Sequence, residues 1–191
     1  MTGCIYQDVR QWALDHGIRV TERSLDAGKA GEFTGIAVTM NVSYSTVEQA
    51  YYLVHSLGSI VRWSLSHDDV QAMFDELRAA KKEKQRVRLE SAIERYRAFE
   101  IESSEFAVWL LAHVGHKDSV PSYSNFMRAD LEALTVFHRT GHAPVWKDFF
   151  AQWNQEVAVG YRQVNPFSPK EIPPFEPHSI ENQEILQKQA H

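Results

Sequence analysis

Apolar residues recur at helical spacing through Ile5, Val9, Trp12 and Ala13, and Gly17 stops the run, so residues 5–16 read as a short amphipathic helix. Two strand-like runs follow, Ile18 to Glu22 and Phe33 to Met40. Between them Asp26 to Gly31 is turn chemistry, which predicts a hairpin or meander. Ser45 then offers a capping hydroxyl, and Glu48 three residues on completes a capping box. The helix it opens carries Tyr51, Val54, Leu57, Val61 and Trp63. A second helix starts near Ser66, with Asp68 and Asp69 suited to the positive end of its dipole. No proline or glycine interrupts the chain from Asp69 to Gly115, so that stretch is helical with one break in the charged 80s. Two more helices are expected at 125–139 and 144–159, divided by Gly141, with Pro144 in the first turn of the second. The pattern is α+β: mostly helical, with a small sheet.

The character changes beyond residue 164. Five of the seven prolines fall in residues 165–191, which therefore cannot be a regular helix. The division is a domain over 1–164 and a proline-rich tail over 165–191. The tail either drapes over its own chain or reaches a partner through Phe167 and Phe175; draping is preferred, because terminal aromatics usually find a groove on their own chain.

Composition narrows the function classes. Hydrophobic content of 43% and aromatic content of 12% supply a packed core for a 191-residue chain. A formal charge of -5 gives no electrostatic case for nucleic acid as partner. The local basic stretch of Lys81, Lys82, Lys84, Arg86 and Arg88 is interrupted by Glu83 and Glu90 and reads as a solvated helix face. With Cys4 as the one cysteine, neither an internal disulfide nor a thiolate cluster can form. The N-terminus bears charges where a signal peptide needs an apolar run, and no stretch approaches the roughly 18 apolar residues of a membrane span. A cytoplasmic protein away from membranes is expected.

The candidate chemistry lies in Val54-His55-Ser56-Leu57-Gly58-Ser59-Ile60. A zinc peptidase helix carries H-E-x-x-H, because histidines four apart share a face and reach one ion while the glutamate activates the bound water. Here the frame reads H-S-L-G-S: His55 keeps the first ligand position, Ser56 replaces the base, and Ser59 replaces the second histidine. Downstream, Glu100 to Leu111 reads E-I-E-S-S-E-F-A-V-W-L-L. Together with the strand Ile36 to Asn41 that precedes the motif helix, these segments resemble the ImmA/IrrE family of zinc metallopeptidases. That family's strand ends near an asparagine, its helix reads like FTLAHELGHI, and a later E-x-E-A-N-x-F-A-x-x-L-L helix supplies an acidic ligand. Glu100, Glu102, Phe106, Ala107, Leu110 and Leu111 match that last pattern in order and spacing.

The resemblance covers residues 31–115 and implies a zincin-like fold, with the sheet packed beside the motif helix. It also implies bacterial or phage regulatory settings, where active relatives cleave repressors or act in stress responses. His55, Ser56, Ser59 and Glu102 are the vestigial site it points to, and His55 with Glu102 would be the ligands were a metal bound. Glu102 shares a helix face with Phe99, Phe106 and Trp109, where a carboxylate needs a partner unless it reaches water. A hydroxyl has no proton-accepting state near neutral pH, so Ser56 cannot serve as base. His55 and Glu102 make two ligands where a working site needs three. His67, His113 and His116 are further histidines, but the last two lie about three turns beyond Glu102, too far to share its ion. Ser56, Ser59 and His55 instead suggest a small internally hydrogen-bonded polar cluster.

No catalytic residue is therefore expected, and no cofactor, zinc being the ion the family would supply. Three functions compete. The first is a non-catalytic relative of zinc metallopeptidases, a regulatory protein that binds a protein or ligand. The second is a metal-dependent hydrolase with a rebuilt site. The third is a helical interaction protein unrelated to peptidases. Trp146, Phe150 and Trp153 would suit a homodimer face or burial within the monomer.

Overall fold

In the computed structural model, residues 4–25, 30–34, 37–142 and 144 are described. The chain opens with helix α1 (Ile5–Asp15), followed by strands β1 (Arg19–Arg23), β2 (Gly31–Thr34) and β3 (Ala37–Asn41). Four long helices follow among the described residues: α2 (Thr46–Leu65), α3 (His67–Glu83), α4 (Arg86–His113) and α5 (Val120–Thr140), the last preceded by a 3-10 turn at Lys117–Ser119. The mixture is α+β, as the periodicity predicts, and no helix among the described residues is long and apolar enough to cross a membrane. The helix expected at 144–159, the aromatics Trp146, Phe150 and Trp153, and the tail 165–191 lie outside the described residues.

The sheet has three strands where a hairpin or meander of two runs is expected. Its order is β1-β3-β2, with β1 parallel to β3 and β2 antiparallel to it. The second run, taken as one strand, is two: Gly31–Thr34 turns back on Ala37–Asn41, pairing Phe33 with Val38. Alternation explains the division, since Val38 and Met40 point inward from β3 while Gly31, Glu32 and Phe33 of β2 are partly buried. β1 joins at the far side of β3, pairing Val20 with Val38.

Local chemistry sets the helix ends. Ser45 accepts from the Glu48 amide and Glu48 returns a bond to the Ser45 amide at 2.9 Å, the predicted capping box. Asn41 at the end of β3 accepts from the Ser43 amide and hydroxyl at 3.1 and 2.9 Å, fixing the turn into α2. The break in the charged 80s falls at Lys84, in the left-handed region at φ 53°. α5 begins several residues before the expected 125, because Pro121 fits a first helical turn that lacks amide partners anyway. Gly141, at φ 74°, ends it in a left-handed cap.

Two apolar clusters fill the interior. One joins α1, the sheet, α2, the C-terminal half of α4 and the start of α5, through Val9, Trp12, Val38, Met40, Leu57, Phe106, Leu110 and Phe126. The other joins the end of α2 with α3 and the N-terminal half of α4, through Trp63, Phe74, Leu77, Ile93, Tyr96 and Phe99. α4 runs through both. At the junction its buried residues are Glu100, Ser103 and Ser104.

Candidate functional site

His55 stands on α2 at that junction, its side chain 13% exposed, and its Nε2 lies 3.0 Å from Oε2 of Glu100. Glu100 is itself almost fully buried and also accepts a hydrogen bond from the buried Tyr96 hydroxyl, one turn earlier on α4. The carboxylate that faces His55 is thus Glu100, where the sequence points to Glu102. Two residues on a helix diverge by about 200°, so only one of the pair can face α2 at His55. Glu102 turns outward, its side chain 46% exposed, and forms an ion pair with Arg62 from the last turn of α2.

The two serines behave as an internally bonded pair. Ser56 donates from Oγ to the Tyr52 carbonyl at 2.8 Å, and Ser59 donates to the His55 carbonyl at 3.3 Å. On α4, Ser103 and Ser104 repeat the device, donating to the Phe99 and Glu100 carbonyls at 2.9 and 2.7 Å. Each hydroxyl is satisfied within its own helix, so the surfaces of α2 and α4 meet as small side chains. At their contact Gly58 is essential: a Cβ there would lie 2.1 Å from the Ser103 carbonyl oxygen.

Charge at the junction is balanced locally. Burial, the largest influence, pushes His55 toward its neutral form, but the Glu100 carboxylate beside it, with Asp130 of α5 adding, raises it above its ordinary value of 6.5. Tyr96 is held well above the usual phenol range, first by burial and then by Glu100. Nδ1 of His55 is buried and has no hydrogen-bond partner among the described residues.

The other histidines are engaged elsewhere. His67 meets Asp68 at 3.2 Å, His113 stacks on Trp109, and His116 pairs with Asp8 at 2.7 Å. The donors brought together at His55 are one imidazole nitrogen and one carboxylate, short of the three protein ligands that a catalytic zinc takes, and no group of three or more such residues is placed to hold an ion among the described residues. Among the described residues the donors at His55 fall short of the family's zinc site.

Tyr96 and Asp130 escape the sequence reading. Tyr96 carries a local signal, lying four residues before Glu100 on the same face; Asp130 comes from a helix with no recognisable motif. Scans against protein-family models, curated proteins and solved structures each find no significant match.

Proposed function

We propose that the chain is a non-catalytic relative of zinc metallopeptidases that acts by binding a protein partner in a regulatory role in the cytosol. The observation that carries the reading is the His55–Glu100 contact at 3.0 Å. A histidine in the first ligand position of an H-x-x-x-x frame meets Glu100, the first acid of the downstream motif, where the resemblance points to Glu102 two residues on. The sheet packed beside α2 within one core, and Asn41 at the strand end, support the same framework.

What the framework lacks is a base and a third ligand. Ser56 and Ser59 commit their hydroxyls to α2's own carbonyls, and neither can take a proton from a water near neutral pH. With Tyr96 as the second donor to Glu100, the old ligand position becomes a clasp between α2 and α4. Function then falls to the outer surface, where Val42 and Val47 stand half-exposed around the turn from β3 into α2.

The test is metal content. Native protein equilibrated with zinc and dialysed should retain no stoichiometric ion, and chelator should leave its melting temperature unchanged. A stoichiometric ion that is lost on His55→Ala would overturn the reading in favour of a metal-dependent hydrolase with a rebuilt site.

A further inference from the structure

The charged 80s, a solvated helix face by sequence, form the tip of a helical hairpin. α3 ends at Glu83 and α4 begins at Arg86, joined through Lys84 and Gln85, and every residue from Lys82 to Val87 is exposed. The acids that interrupt the basic run are committed elsewhere. Glu83 and Glu76 both pair with Arg88, and Glu90 pairs with Arg139 of α5. Lys81 is engaged too, half-buried beside the Phe137 ring and 2.6 Å from Nδ1 of His138 on α5. Burial, and then the Lys81 charge, drives that imidazole down to about 3. Lys82, Lys84 and Arg86 form no ion pair among the described residues. They stand at the tip in a chain whose formal charge is -5.

Two further observations set this tip apart. Val87 is 86% exposed, the most exposed large apolar side chain among the described residues. Lys84 is the one non-glycine residue among them held at positive φ. A glycine would take that left-handed cap without strain, so the lysine costs backbone energy while keeping a cation at the apex. Three cations without ion pairs attract an anionic partner, and Val87 decides which kind. A nucleic-acid backbone offers phosphates but nothing to an exposed valine. An acidic peptide needs a groove, which the protruding end of two helices does not supply. An anionic lipid surface takes both features, with headgroups for the cations and an acyl boundary for the valine.

We infer that the α3–α4 tip is a peripheral docking surface for an anionic lipid bilayer. Lys82, Lys84 and Arg86 meet the headgroups, and Val87 enters the acyl boundary. The rest of the chain carries an excess of acids and is repelled by the same surface, so the molecule stands on this tip. Three cations and one valine make a weak, reversible contact that salt screens. The inference does not rest on the peptidase reading, since none of these residues belongs to the His55 site.

The experiment sediments the full chain with vesicles of phosphatidylcholine alone or of equal parts phosphatidylcholine and phosphatidylserine. Binding to the mixed vesicles should exceed binding to phosphatidylcholine and should weaken as salt is added. Lys82→Gln and Lys84→Gly should each lower the partition coefficient about fivefold, the share of one cation near an anionic surface. The Lys84→Gly variant should melt close to the parent, because relief of the left-handed strain offsets glycine's greater freedom when unfolded. Val87→Ser, which leaves the charge unchanged, should lower partition about tenfold. Equal binding to the two kinds of vesicle, or binding that Lys84→Gly and Val87→Ser leave unchanged, overturns the inference. So does a complex with duplex DNA that Val87→Ser does not weaken, formed where the mixed vesicles bind nothing; that result assigns the tip to nucleic acid.

Discussion

His55 and Glu100 are a buried charge-bearing pair, so removing one partner is expected to cost more than removing both. His55→Ala leaves Glu100 buried with Tyr96 as its remaining donor and should lower unfolding free energy by about 3–5 kcal/mol. Replacing the pair together by His55→Leu and Glu100→Met should recover most of that loss, because two apolar groups need no partner. Urea denaturation of the singles and the double measures the difference; a double variant as unstable as the sum of the singles would mean that the two side chains do not act on each other.

Histidine titration gives a signature on each side of neutrality. His55 is raised in the folded state, so its stabilising contribution is complete below 6.5 and drains away as pH climbs through the raised value. His138 is depressed to about 3, so the stability linked to it is present above 6.5 and is lost as pH falls from there toward 3. His55→Gln should flatten the alkaline limb of a stability–pH curve and His138→Leu the acid limb. Urea midpoints across the pH range would show either limb unmoved if the assignment were mistaken.

At the scale of elements, the meeting of α2 with α4 is the decisive contact. Gly58→Ala improves helix propensity by about 1 kcal/mol, yet its methyl would enter the Ser103 carbonyl. Forcing the helices apart costs typically about 1–3 kcal/mol, so the variant should melt below the parent despite the better helix former. A melting temperature equal to or above the parent's would show that α2 and α4 do not approach this closely. Ser45→Ala removes the capping box and should cost about 1 kcal/mol, read in the same melt.

These elements also show what the linear pattern can and cannot carry. The capping box, the break near Lys84 and the left-handed cap at Gly141 depend on neighbours within a turn and are readable from spacing. The pairing of β1 with β3 depends on residues about 18 apart in sequence and on which face the core takes, so the linear pattern points to a hairpin or meander and does not show the parallel pair. The same limit governs the site. His55 is legible from its motif, but choosing between Glu100 and Glu102 needs the direction from which α2 crosses α4. Phe99, Phe106 and Trp109 flank Glu102 in the helical pattern, and α4, buried in two clusters along its length, has no single apolar face to point to one answer.

At the scale of the molecule, two apolar clusters among the described residues meet at a seam of Ser59, Glu100, Ser103 and Ser104, with His55 at its edge. On the proposed reading that seam belongs to a peptidase-like framework in which the old metal position is a structural clasp. The most direct test restores what the motif lacks. Ser56→Glu with Ser59→His rebuilds H-E-x-x-H on α2 opposite Glu100, and zinc per chain is measured by atomic emission after dialysis for the parent and the folded double variant. The account predicts no stoichiometric zinc in the parent and one ion per chain in the restored protein. Zinc in the parent, or none in a restored variant that still melts cooperatively, would contradict it.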